Sequence, residues 1–275
     1  MFHGRAEKAC SLVQSQGISC IGAVTLTRER KAHILGILQR DRRVVVKTVS
    51  QELGLSEDTV RRDLRELAAD GLLQRVHGGA LPVSPAIADL AGRWQISTDA
   101  KMAIARTAAR LVRPGQVVIL DGGTTAVLMA RHLPPELMAT IVTHSPSVAV
   151  ELATHEGITV EVIGGRLFKH SVVAVGAAAA EAIARVRADT YFMGVTGVHP
   201  ELGLTTGDAE EAAIKRALSQ QAAETVVLAS REKLGAASPF VVLPLNEIDA
   251  LVVEGGLPDN LVEPYRRLGV TLIST

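Results

Sequence analysis

From about residue 117 onward, short runs of branched apolar residues return at regular intervals, each followed by a stretch with helical spacing. Residues 117–120, 140–143, 159–163, 190–193, 225–228 and 250–253 read as strands. Residues 101–112, 125–132, 179–186, 209–218 and 260–268 read as helices between or after them. The strands are apolar on successive residues rather than alternately, so both faces of their sheet are covered. That pattern predicts an α/β fold with a mostly parallel sheet. It starts only after Pro82 and Pro85. The expected division is an extension without clear fold at 1–26, a small domain at 27–82, a linker at 83–98 and the α/β domain at 99–275.

Composition removes several alternatives. Apolar residues make up 47% of the 275 and charged residues 21%, which suits a packed core and not a disordered chain. Aromatics are 3%, too few for a base-stacking platform. Cys10 and Cys20 exclude a disulfide scaffold and a four-cysteine zinc site, and so few thiols suit a reducing cytoplasm. The most apolar stretch, 172–180, is far short of the ~20 residues of a membrane span. The polar Ser11, Gln14, Ser15, Gln16 and Ser19 rule out a signal core in 9–27. The net charge of +0 hides an asymmetry: 28–82 holds eleven basic against eight acidic residues, while 83–275 is net negative by four. A basic end on an acidic body points to an anionic partner for that end.

Within 27–82 the pattern is two short helices around a tight turn. A helix starting at Thr27 carries Ile34, Leu35, Ile37 and Leu38; residues 44–46 read as a short strand and 48–53 as a brief helix. Gly54, Leu55 and Ser56 make a turn. Ser56 caps a helix at 57–69, where Glu57 and Asp58 suit the positive N-terminal dipole and Val60, Leu64 and Leu67 share one face. A hairpin with its tip at His77, Gly78 and Gly79 follows. This is a helix-turn-helix with a wing. Its second helix would lie in the major groove of double-stranded DNA. Lys47, Ser56, Thr59, Arg61, Arg62, Arg65, Arg75 and His77 are the candidate DNA-contacting residues, since arginine can pair with guanine or grip phosphate. The bland alternative is that Arg61 and Arg65 pair with Asp58 or Glu66 on a solvated helix.

The run 44–80 strongly resembles the winged-helix domain of DeoR-type bacterial transcription regulators. The carriers are Gly54-Leu55-Ser56-Glu57-Asp58-Thr59-Val60-Arg61-Arg62-Asp63-Leu64 and Arg75-Val76-His77-Gly78-Gly79-Ala80. The resemblance implies a DNA-binding repressor of a sugar-catabolic operon.

The second motif lies where the strand at 117–120 runs into Asp121, Gly122, Gly123, Thr124 and Thr125. Glycines let backbone N–H groups converge, a following helix N-terminus favours an anion, and two hydroxyls add donors. A phosphate fits; Asp121 would repel it and so holds a sugar hydroxyl or braces the loop. A plain strand–helix turn is the alternative. The family's sensor domain carries a similar strand followed by Asp-x-Gly-Thr-Thr. Its further motifs resemble Gly164-Gly165, the run from Phe192 through Gly194 to Gly197, Gly203-Leu204-Thr205, Glu211 with Lys215-Arg216, and Lys233. The likeness spans 101–253 and implies a sugar-phosphate-isomerase fold with a phosphorylated sugar as effector, Lys215 and Lys233 being candidate phosphate partners. Three departures touch the identity of that sugar: Ser230, Thr143-His144-Ser145 and Glu254 stand where the family usually has Asp, Thr-Asn-Ser and Asp. His144 either replaces an amide hydrogen bond or acts as an acid–base group.

The expectation is therefore a cytoplasmic repressor, homo-oligomeric because paired half-sites sharpen recognition, with no metal, cofactor or membrane partner. The rival is a sugar-phosphate isomerase or deaminase carrying a DNA-binding head. Residues 1–26 follow no period and are expected to be dispensable.

Overall fold

The computed structural model describes residues 27–275, so the expectation for 1–26 lies outside the described residues. The chain divides into two units, one formed by residues up to Asp70 with Arg75–Ala80, the other by Gly71–Gln74 with Leu81–Thr275.

The smaller unit runs α1 (Thr27–Asp41), β1 (Val44–Val45), α2 (Val46–Leu53), α3 (Glu57–Ala69), β2 (Gln74–Val76) and β3 (Gly79–Leu81). Val46 opens a helix where a strand was expected to continue, although its N–H still donates across to the Gly78 carbonyl at 2.9 Å. Gly54 closes α2 in the left-handed region at φ +64°, and Ser56 Oγ accepts the Thr59 N–H to start α3. Val60, Leu64 and Leu67 are buried on one face of α3, each contributing about 1.5–3 kcal/mol. That same face carries Asp63, which is completely buried and accepts two hydrogen bonds from Arg30 of α1, the one from Nη2 to Oδ1 being 2.8 Å. In the three-stranded sheet β1 pairs antiparallel with β3, Val45 opposite Gly79. A Cβ at Gly79 would stand 1.8 Å from the Val44 carbonyl oxygen, so only glycine fits there.

The larger unit continues with α4 (Leu90–Arg93), α5 (Thr98–Ala109), β4 (Val117–Leu120), α6 (Thr124–Arg131), β5 (Ala139–Thr143), α7 (Pro146–Leu152), β6 (Ile158–Val162), β7 (Arg166–Phe168), β8 (Val173–Val175) and α8 (Ala177–Ile183). It ends with β9 (Ala188–Gly194), β10 (Gly197–His199), β11 (Gly203–Thr206), α9 (Ala209–Ser219), β12 (Ala222–Leu228), β13 (Phe240–Leu243), β14 (Ala250–Val253), α10 (Asp259–Arg267) and β15 (Thr271–Ser274). Seven strands form a sheet in the order β15-β14-β12-β9-β4-β5-β6, with all neighbours parallel. Side chains leave each strand alternately for two cores: Ile119, Tyr191, Met193 and Val227 pack on one face, Val118, Leu120, Phe192 and Leu228 on the other. This is the α/β architecture the apolar runs predict. A hairpin of β7 and β8 and a small antiparallel sheet β10-β11-β13 add to it.

The order of strands sets the site. From β4 the chain moves outward to β5 and β6 on one side; β9, β12, β14 and β15 lie on the other. The crevice beyond the carboxyl ends of β4 and β9 is thus the switch point, where open α/β sheets bind ligands. The stretch 83–98, expected as a linker, is built into this unit. Pro85–Ile87 forms a 3₁₀ turn, α4 follows, and Arg93 reaches the crevice.

Candidate functional site

The exposed face of α3 presents Arg61, Arg62 and Arg65, with Arg75 and His77 exposed on the hairpin and Lys47 exposed on α2. Ser50 is buried, which suits close crossing of α2 and α3. Several candidates are already engaged. Ser56 caps α3 and stands 3.0 Å from Thr59 Oγ1, and Arg61 pairs with Glu57 at 2.5 Å and Asp58 at 3.1 Å. The intrahelical alternative therefore describes Arg61, with Asp58 as expected and Glu57 in addition. Glu66 is paired with Lys31 instead. Arg62 and Arg65 have no ion pair among the described residues, which leaves their full donor sets for an anionic partner.

Behind the crevice, Asp121 follows β4 and is wholly buried. Its Oδ1 accepts the Gly122 N–H at 2.8 Å, its Oδ2 accepts the Gly194 N–H at 2.7 Å and the Lys215 ammonium at 2.6 Å, and His144 Nε2 lies 3.1 Å away. Burial would push this carboxyl up, but the Lys215 charge and His144 override it and hold it well below the carboxylate range. Asp121 thus braces the loop by tying β4 to β9 and α9, and neither it nor His144, also sealed from solvent, lines the crevice. The Gly122 N–H, spent on Asp121, is removed from the anion cradle. Gly123, Thr124 and Thr125 remain, at the start of α6, where the first N–H groups have no partner within the helix. Gly122 is required by space, since a Cβ there would come within 2.2 Å of Val173 Cγ1, and Gly123 takes φ +100°.

Facing the turn are four cations: Arg93, Lys101, Lys215 and Lys233. Lys215 is shared between Asp121 and Glu211, the latter at 3.5 Å, and its pKa is raised: those two carboxylates outweigh the burial that opposes its charge. Glu211 lines the crevice and accepts from Thr206 Oγ1 at 3.0 Å. Lys233 is no solvated loop lysine. It is 5% exposed, and burial first, then the neighbouring Lys101, Arg93 and Lys215 charges, bring it down to about 8 against the pull of Glu232. Gly194 lines the crevice. Gly164 and Gly165 do not; they lie exposed between β6 and β7. With Asp121 neutralised behind the wall, the lining is net positive and suits an anion.

Two family models match this chain: a DeoR-like helix-turn-helix domain over residues 30–86 and a DeoR C-terminal sensor domain over 96–255. The chain belongs to the DeoR family of transcriptional regulators. This DeoR-family regulator is 36% identical to the HTH-type transcriptional regulator GlpR of Haloferax volcanii, across 90% of its own length and 98% of the relative's. It is 33% identical to the HTH-type transcriptional repressor GlcR of Bacillus subtilis, across 90% and 96%. Among solved structures, ribose 5-phosphate isomerase A of Methanocaldococcus jannaschii aligns with a TM-score of 0.38 at 22% identity, over 50% of this chain and 54% of that one. Among the described residues, no helix is long and apolar enough to cross a membrane.

The arginines of α3 without an intrahelical partner lead to a testable ranking. Arg62→Ala is expected to weaken operator binding by roughly 1–3 kcal/mol, about ten- to a hundredfold, in gel-shift titrations at fixed salt. Arg61→Ala should cost less, because Arg61 must first leave Glu57 and Asp58. The opposite ranking would put the wrong residue in the groove.

Sequence reasoning missed Arg93 and Lys101. Arg93 sat in the presumed linker and Lys101 at the edge of a helical pattern. Lys101 is buried and donates to the Arg93 carbonyl at 2.5 Å. A basic residue three places from Ile104, on the apolar side of α5, was the available signal.

Proposed function

We propose that this DeoR-family regulator represses a sugar-catabolic operon and releases its operator when a phosphorylated sugar fills the crevice. It would act in the cytoplasm as a homo-oligomer that pairs half-sites. The observation that carries this is the glycine turn at the head of α6, set at the switch point and faced by buried lysines. A phosphate placed there gains backbone donors, the Thr124 and Thr125 hydroxyls and at least one ammonium, and charge-assisted bonds of this kind are the strong ones. The rest of the sugar would meet Glu211 and Thr206. An isomerase-like enzyme is not favoured. Asp121 is sealed, Glu211 is held by Thr206 and Lys215, and the relatives are regulators.

The test is a thermal-shift screen of hexose and pentose phosphates against the matching free sugars. A ligand at a hundred times its Kd stabilises by about 2.7 kcal/mol and raises the melting temperature by several degrees. Thr124→Ala should weaken the phosphorylated hit roughly ten- to a hundredfold in calorimetry, the loss of one bond to a charged group. Operator affinity without effector should not change. A screen in which free sugars do as well as their phosphates rejects the reading, as does an undiminished Thr124→Ala variant.

A further inference from the structure

We propose that Arg93 is a direct ligand of the effector's anionic group and the residue that passes occupancy to the chain leading into the winged helix. This rests on the crevice being an anion site.

Three observations place Arg93 at the ligand. It lines the crevice, and its Nη1 lies 3.7 Å from where a Cβ on Gly123 would be, so the guanidinium stands against the glycine turn. Its Nε is buried and has no hydrogen-bond partner among the described residues. A buried N–H left unmet on a charged side chain is costly, and an anionic oxygen in the crevice would satisfy it. Its charge is also poorly compensated there. Burial disfavours it, and the carboxylates that favour it most, Glu211 and Asp121, are shared with Lys215.

Its position in the chain supplies the second half. Residues 82–93 follow directly on β3, the second strand of the wing hairpin. They are fastened to the loop between β7 and β8: the Leu90 N–H donates to the His170 carbonyl at 2.9 Å, and His170 Nε2 lies 2.9 Å from the Ile87 carbonyl. Arg93 Nη2 completes the fastening, to Ser171 Oγ at 3.1 Å and the His170 carbonyl at 3.4 Å. A ligand oxygen that draws Arg93 toward Gly123 competes with those two bonds. The segment is then held differently when the crevice is full than when it is empty, which is the differential contact a switch requires.

Inorganic phosphate against chloride at equal ionic strength is the probe, applied to the full chain. Thermal shift reads binding and hydrogen exchange of residues 82–93 reads transmission. Arg93→Met is expected to bind phosphate at least tenfold more weakly than the parent, with Arg93→Lys in between. Ser171→Ala, which removes only the structural partner, should bind phosphate like the parent. At concentrations that saturate each protein, phosphate should alter exchange in 82–93 of the parent and not of Arg93→Met. If Arg93→Met binds phosphate like the parent while Thr124→Ala does not, the crevice stands as an anion site and the role of Arg93 falls. If Ser171→Ala weakens binding as much as Arg93→Met, Arg93 is only a structural tie. An equal exchange response in the parent and Arg93→Met overturns the transmission. If neither phosphate nor any sugar phosphate stabilises the parent, the anion site itself falls and this inference with it.

Discussion

Arg30→Met is expected to abolish operator binding at physiological temperature, although Arg30 is buried and offers DNA nothing. Arg30 is 6% exposed and Asp63 is fully buried, and their two hydrogen bonds join α1 to the buried face of the reading helix. The Asp63 hydrogen bond is the main reason the Arg30 guanidinium holds its proton more tightly than usual, against the opposing effect of burial. Removing either partner strands a charge inside a small core, which costs about 3–5 kcal/mol. A unit of this size has little more than that to lose. Asp63→Leu should do the same. The double variant Arg30→Met with Asp63→Leu removes both charges and restores apolar volume, so it should recover most of the loss. Urea denaturation and gel shift on the four proteins of this cycle give the answer. If each single change costs under about 1 kcal/mol, or the costs simply add, the pair does not hold the reading helix in place.

That pair also shows where the sequence stops being legible. The Arg62-Asp63-Leu64 run was readable as part of a family motif, and the bounds of α3, from its cap at Ser56 to Ala69, follow from spacing and cap chemistry. What Asp63 does was not readable, because its partner lies 33 residues away on a helix whose own pattern says nothing about it. The same limit applies in the larger unit. Parallel strands buried on both faces advertise themselves as apolar runs, so six strands of the sheet were evident; β15, a half-exposed edge strand, was not read. β7, β8, β10, β11 and β13 have three or four residues each and interrupt that rhythm, and so were not read as strands. The glycine turn was visible because its chemistry is local. Which residues face it was not: Asp121 and His144 turned out to stand behind the wall, and Arg93 and Lys101 in front of it. The direction in which a side chain leaves a turn is set by what packs against that turn, and Val173, Tyr191 and Lys215 come from three distant elements.

Asp121→Asn is expected to cost the larger unit about 3 kcal/mol and to weaken the effector site while sparing operator recognition. The side chain of Asp121 serves three donors at once, the N–H groups of Gly122 and Gly194 and the Lys215 ammonium, and His144 Nε2 stands 3.1 Å from it. An amide has one acceptor atom where the carboxylate has two. Turned to keep Lys215 and Gly194, it points its NH₂ at the Gly122 N–H; turned the other way, it points that NH₂ at an ammonium. Lys215 keeps Glu211 at 3.5 Å, which is why the expected cost sits at the low end of the range for a broken buried pair. The sign with pH follows from the depressed carboxyl. In the unfolded chain Asp121 titrates near 4, and in the folded protein well below that. Its contribution is therefore complete at neutral pH and is lost as the pH falls from about 4 through the folded value. Parent and Asp121→Asn should then differ most above pH 5 and converge in acid. The turn that would hold phosphate hangs on these same bonds, so effector affinity should fall together with stability, while the winged helix, a separate unit, keeps its grip on DNA. Urea denaturation at pH 7 and at pH 3, with gel shift alongside, measures all three. A gap between the two proteins that widens in acid would show that the ionised carboxylate is not what joins β4 to β9.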